Sequence, residues 1–318
     1  MKAKTSTIRA IDLCAGAGGW ACAARGLPIE IVAAVDFWEP ACRTYRLNHP
    51  RTDVIQADLR DGAVRRRLIE LAKSAGVNLV LGGIPCEWLS IRRNVGKKPG
   101  ASELEGQRAT LKAVLNMVKA ISPRWWCLED VKGLVAELPA GTPWIEIDAA
   151  DYSPQRRKRI YVGEFPRPQG TGPLISPRSK LVMRDCLRPG PYRIGTRSFG
   201  REFVTSNSFH PDKAYAAASG GKSPTICNLS SRRDPEFLVI DDTIKVNGGA
   251  RQLEWQEGAA LQGFPQDYIF YGSPSDVGAQ IGRAIQIDTG RVILQGIVRQ
   301  WEETTKSTKS TKKEKAER

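Results

Sequence analysis

A cysteine stands behind a stiff turn at Gly82-Gly83-Ile84-Pro85-Cys86, and the turn puts its thiol within reach of a substrate. A thiolate adds to an electron-poor carbon and leaves again readily, so cysteine suits a reaction that passes through a transient covalent bond. Val77–Leu81 ahead of it is a short apolar run with β-branched residues and reads as a buried strand. Gly82-Gly83 ends that strand, and Pro85 restricts the backbone just before the thiol. Taken alone, Cys86 fits a buried structural cysteine better, because free cysteine is among the most buried residue types.

A second set of residues points to a nucleotide. Asp12-Leu13-Cys14-Ala15-Gly16-Ala17-Gly18-Gly19-Trp20 lies between a strand and a helix, where glycines let a cofactor approach the backbone closely. Gly16-x-Gly18-x-x-Ala21 also fits a dinucleotide fingerprint, with Asp36 placed 20 residues on as a ribose-binding acid. Phe37 and Trp38 offer aromatic faces for adenine; Asp58 is either an acceptor for its amino group or a turn cap.

The elements that must hold these groups alternate. Strands are expected at 7–13, 29–35, 54–57, 77–81, 125–128 and 159–162, with helices at 20–25, 40–47, 63–75 and 104–120. That alternation predicts an α/β fold with a doubly wound, mostly parallel sheet, Rossmann-like, that binds ligands outside the carboxyl ends of its strands. From 166 to about 250 the pattern gives way to Pro-, Gly- and Arg-rich sequence, expected to form a smaller lobe beside a first domain of 1–165. The stretch 251–303 is expected to return to that first domain through a closing helix or pair of helices. The last segment, 304–318, is Lys-, Thr- and Ser-rich and is expected to be a disordered tail.

Composition narrows the partners. The 318 residues carry a net charge of +14, which points to a polyanion, and basic runs such as Arg65-Arg66-Arg67 and Arg156-Arg157-Lys158-Arg159 persist without the tail. Seven cysteines without a CxxC spacing, and only two histidines, argue against a disulfide framework and against a metal centre. No apolar run reaches membrane-spanning length and no signal peptide is read at the start, so a cytoplasmic location is expected.

Assembled in order, the motifs are Asp-Leu-Cys-Ala-Gly-Ala-Gly-Gly (12–19), Asp-Phe-Trp (36–38), Asp58, Gly-Gly-Ile-Pro-Cys (82–86) with Ser90, and Leu-Glu-Asp-Val (128–131). Pro-Gln-Arg-Arg-Lys-Arg-Ile-Tyr (154–161), Arg-x-Leu-x-x-x-Glu-x-x-x-Leu-Gln-Gly-Phe-Pro (251–265) and Gln-Ile-Gly-Arg-Ala-Ile (280–285) follow. The chain resembles the DNA cytosine-C5 methyltransferase family over nearly its whole length except the 166–249 lobe and the tail. The resemblance implies that Cys86 adds to carbon 6 of a flipped cytosine, that Glu129 holds N3 and the exocyclic amine, and that Arg159 contacts O2, with Arg157 near the thiol. It implies S-adenosylmethionine as donor, held by Asp12, Cys14, Gly16, Gly18, Gly19, Asp36, Phe37, Trp38, Asp58, Leu59, Pro85, Arg283 and Ala284. Double-stranded DNA is the implied partner of a monomer, met by Ser90, Arg92, Arg93, Arg232 and Arg233. Residues 87 to about 105 would close over it, and 166–249 would read its sequence.

Three positions depart from the family: Glu87 for a common Gln, Asp130 for Asn, and Arg283 for Asn in the last motif. A guanidinium near the reactive end of the donor disfavours a cationic sulfonium but suits a transferred group that carries a carboxylate. Carboxy-S-adenosylmethionine is such a donor and would yield 5-carboxymethylcytosine; the competing reading is that Arg283 balances Asp130. Rival functions are a catalytically silent DNA-binding homologue, a tRNA methyltransferase of the same family, and, more distantly, a dinucleotide oxidoreductase.

Overall fold

A computed structural model of the chain describes residues 7–85, 100–168, 192–198, 201–204, 238–241, 250–252 and 254–316. Strand and helix alternate as β1 (Ile8–Leu13), α1 (Gly19–Ala24), β2 (Ile29–Asp36), α2 (Glu39–Asn48), β3 (Asp53–Gln56), α3 (Gly62–Ser74) and β4 (Leu79–Gly83). α4 (Ala101–Ile121), β5 (Trp125–Asp130), β6 (Trp144–Asp148) and β7 (Lys158–Val162) complete a seven-stranded sheet of order β3-β2-β1-β4-β5-β7-β6. The neighbours from β3 through β5 pair in parallel, and β7 runs antiparallel to β5. This is the expected α/β, Rossmann-like class, with an order that reverses between β1 and β4 and opens a crevice at their carboxyl ends.

The period of two along β1 decides what each face holds. Ile11 and Leu13 join Val35, Val80, Leu68, Val114 and Met117 in one apolar layer under α3 and α4. Asp12, between them in sequence, is fully buried near α2, where the Tyr45 hydroxyl donates to its Oδ2 at 3.5 Å.

The chain separates into two compact units. Met1–Glu146, Arg159–Gly170 and Gly290–Arg318 form the first, and Ile147–Lys158 with Thr171–Thr289 form the second. The boundary differs from the expected one: 251–289 groups with the smaller lobe, and the chain rejoins the large sheet's unit only from Gly290.

In the second unit β8 (Tyr192–Ser198), β9 (Arg201–Val204), β10 (Leu238–Asp241) and β11 (Ala250–Gln252) form an antiparallel sheet of order β11-β10-β8-β9. α5 (Trp255–Gln262) and α6 (Pro274–Arg283) pack together, with Trp255, Phe264, Tyr268 and Phe270 in edge and tilted ring contacts. α5 ends at Gly263, whose φ of 92° and the Ile287 Cβ 2.9 Å from an added Cβ both exclude a side chain.

α7 (Ile287–Ala316) docks on the first unit through specific contacts rather than grease alone. Arg291 Nη1 donates to the Arg25 carbonyl at 2.7 Å, and Trp125 Nε1 donates to Gln300 Oε1 at 2.7 Å. The Arg124 guanidinium lies over the Trp125 ring at 4.4 Å and donates to Thr304 Oγ1 at 2.8 Å. The helix then runs on to Ala316, through the segment expected to lack regular structure. No glycine or proline interrupts 304–318, and the Thr304 and Thr305 hydroxyls bond back to the carbonyls of Gln300 and Trp301.

Candidate active site

The loop after β1 is built for close approach. Cys14, Gly16 and Gly18 have φ of 51°, 53° and 89°, and an added Cβ on Gly16 would meet nothing within 4 Å, so the loop's face is open. The Asp36 carboxylate at the end of β2 pins it: Gly16 N–H donates to Oδ2 at 2.8 Å and Trp38 N–H to Oδ1 at 2.9 Å. A carboxylate has about four acceptor sites, so such bonds still leave room for ribose hydroxyls. Beside it Phe37 is 64% exposed, an apolar ring facing solvent with no core role. Asp12 Oδ1 is buried without a hydrogen-bond partner, and burial, then the Asp36 charge, pushes the Asp12 carboxyl well above its ordinary range. An open loop, an oriented diol acceptor and an exposed ring fit the adenosyl part of a nucleotide-like donor.

Two expected donor residues have other engagements. The Asp58 carboxylate is held by Arg60 Nε and Nη2, the latter at 2.6 Å, and this pairing lowers its pKa. The Leu59 side chain belongs to the apolar core. Cys14 is half-buried, and burial, then the charges of Asp36, Asp12, Asp58 and Asp130, raises its thiol well above the ordinary range.

The next strand end leads to the thiol. The β1–β4 ladder ends with Gly82 opposite Leu13, where an added Cβ would sit 2.6 Å from the Leu13 carbonyl oxygen, so only glycine fits. Ile84 is buried and Pro85 half-buried. Cys86, Glu87, Ser90, Arg92, Arg93, Arg232 and Arg233 lie outside the described residues. α4 starts at Ala101, ahead of the expected 104, with Gly100 N–H donating to Glu103 Oε2 at 2.9 Å.

Gly83 of β4 is register partner to Glu129 of β5, and Glu129 is partner to Tyr161 of β7. On this strand pair Arg159 Nε meets Glu129 Oε1 at 3.2 Å, with side-chain exposures of 15% and 7%. The structure therefore brings together Glu129 and Arg159, on strands adjacent to the one that enters Pro85-Cys86. Asp130 is buried, and its Oδ1 accepts from Val131 N–H at 2.6 Å.

Arg157 is a buried cation with carbonyl partners. It lies in the second unit, 3% exposed, and its Nη2 donates to the carbonyls of Gly282 and Ala284 at 3.1 and 3.0 Å. It holds the C-terminal end of α6, where Arg283, the last helical residue, is exposed and Ala284 after it is buried. Sequence reasoning missed its partners: Gln155 Nε2 donates to Gln262 Oε1 at 2.9 Å, and Gln262 Nε2 to the Ala284 carbonyl at 2.6 Å. Polar residues inside an otherwise apolar motif were the available signal.

A family model for C-5 cytosine-specific DNA methylases matches residues 8–139 and 193–299. The chain belongs to that family. It is 26% identical over 300 residues to the type II methyltransferase M.HgiDI of Herpetosiphon aurantiacus, covering 88% of this chain and 91% of that one. It is 24% identical to M.NgoMIV of Neisseria gonorrhoeae, covering 91% and 96%. Among solved structures, S. pombe Dnmt2 methyltransferase shares the fold with a TM-score of 0.62 at 14% identity, covering 92% of this chain and 98% of that one.

Proposed function

We propose that this protein alkylates carbon 5 of a flipped cytosine in duplex DNA through a covalent Cys86 adduct, with methyl as the transferred group. The observation that carries the reading is the pairing of buried Glu129 with half-buried Arg159 at 3.2 Å beside the strand that enters Pro85-Cys86. S-adenosylmethionine, when bound, supplies an electrophilic methyl carbon on a sulfonium. The Cys86 thiolate adds to carbon 6 and makes carbon 5 nucleophilic. In this reading Glu129 holds N3 and the exocyclic amine as charge develops in the ring, and Arg159 fixes the Glu129 carboxylate and reaches O2. The target atom is inaccessible in a stacked duplex, so the base must leave the helix. After transfer, loss of the carbon 5 proton expels the thiolate and restores the aromatic ring.

DNA containing 5-fluorocytosine tests this. Fluorine cannot leave carbon 5 as a cation, so an active enzyme with donor becomes trapped as a protein–DNA adduct that survives denaturation. Cys86→Ser should bind DNA and trap nothing. Binding without trapping by the wild-type protein would instead support the silent homologue, and preference for RNA in competition the tRNA enzyme.

A second reading is favoured by one residue. Arg283 is exposed at the last position of α6, where a neutral amide is usual in the family. A guanidinium there suits a donor whose transferred group bears a carboxylate, so carboxy-S-adenosylmethionine belongs in the same assay, with 5-carboxymethylcytosine read by mass spectrometry.

A further inference from the structure

Trp20, at the start of α1 directly after the donor loop, has no counterpart in the chemistry above. It is 2% exposed, and its Nε1–H donates to the Gly82 carbonyl at 3.0 Å across 62 residues of sequence. β1 and β4 pair no further than Leu13 with Gly82, so the indole supplies a donor where the strand ladder ends. Its ring also meets Tyr161 edge-on, centroids 6.4 Å apart at 81°. Tyr161 is the register partner of Glu129 and lies two residues after Arg159. One side chain thus touches the end of the strand that enters Pro85-Cys86 and the strand pair that carries Glu129 and Arg159.

We propose that Trp20 is a positioning residue that sets the nucleophile strand and the Glu129–Arg159 pair against the donor loop. The inference deepens the methyl-transfer reading and rests on it. Gly82 tolerates no side chain, so the end of β4 has no side-chain anchor of its own at this point. A ring hydrocarbon alone would fill the space; only an indole also fixes the carbonyl. The link bears on rate, because small displacements of a reacting group cost far more in turnover than in binding.

Trp20→Phe keeps an aromatic ring for Tyr161 and removes the N–H. The expected result is a roughly ten- to a hundredfold fall in kcat. The donor KM and the calorimetric affinity for S-adenosylhomocysteine should stay within about threefold of wild type, as expected when only transition-state alignment is lost. Trp20→Leu, which removes the ring too, should lower Tm further while reducing kcat little more. Hydrogen exchange of the 79–85 segment supplies a readout independent of turnover. It should quicken in Trp20→Phe, and in the wild-type protein S-adenosylhomocysteine should slow it at 79–82. An unchanged kcat in Trp20→Phe overturns the proposal, as does a parallel loss of kcat, donor affinity and Tm, which marks a purely structural side chain. If a variant fails to fold, wild-type exchange at 79–82 that ignores S-adenosylhomocysteine also overturns it. A wild-type protein that methylates nothing counts against the proposed activity, while the exchange measurements still decide the role of Trp20.

Discussion

At the scale of single residues, the departures from the family separate by what each side chain does. Asp130 supplies through Oδ1 the acceptor that an asparagine amide oxygen would supply to Val131 N–H, so the exchange keeps that bond. This removes one argument for a silent homologue. Arg157 donates from burial to two carbonyls at the end of α6, those of Gly282 and Ala284, bonds to partners 125 and 127 residues away that have no local signature. Arg283 has an ordinary account as well: a cation in the last turn of a helix favours the dipole by about 0.3–1 kcal/mol. The two accounts predict different outcomes for Arg283→Asn. If the guanidinium receives a donor carboxylate, use of carboxy-S-adenosylmethionine should fall relative to S-adenosylmethionine by roughly ten- to a hundredfold, the worth of one charge-assisted bond. If it serves only the helix, or balances Asp130, both donors should suffer alike. Competition between the donors, with the ratio of 5-carboxymethylcytosine to 5-methylcytosine measured in the product DNA, decides; an unchanged ratio sinks the carboxylate account.

At the scale of elements, α2 shows how an ionisable group can tie a helix end to pH. α2 is capped by His49, whose N–H donates to the Tyr45 carbonyl and whose ring lies 5.0 Å from the Tyr45 ring. Burial, then the charge of Arg25, lowers the His49 pKa from 6.5 to about 4. The unfolded chain therefore takes up a proton that the folded one refuses, and His49 lowers stability as pH falls from about 6.5 towards 4. Urea midpoints across that range should fall less in His49→Gln than in wild type; parallel curves would show that His49 titrates normally. Helices such as α3 and strands such as β1, β2 and β4 were legible because period and apolar content agree with burial. β6 was not: Trp144–Asp148 is short, follows Gly141-Thr142-Pro143, and is largely exposed or half-buried. The strands that hold Glu129 and Arg159 could be placed from sequence, but their 3.2 Å approach follows from β5–β7 register, and the indole bond from Trp20 to Gly82 from packing.

For the molecule as a whole, the charge of +14 is the feature most directly tied to a DNA partner, and α7 concentrates part of it. Trp301 and Thr304 hold this helix to the unit of the large sheet, whereas Lys306 beyond them is exposed. Residues 308–318 add five cations (Lys309, Lys312, Lys313, Lys315, Arg318) against two carboxylates, Glu314 and Glu317. A truncation should begin after Ser307, because cutting at Thr304 would also remove the hydroxyl that receives Arg124. For every phosphate that these cations neutralise, the truncation should flatten the slope of log K against log salt by about 0.9. Non-specific affinity at low salt should therefore drop, while turnover at saturating DNA stays near wild type, since the truncation leaves the β4, β5 and β7 strand ends intact. Filter binding over a salt series and a single-turnover assay measure the two effects separately. Unchanged affinity would make the segment a solvated helix end; lost turnover would give it a part in catalysis that its place at the far end of α7 does not explain.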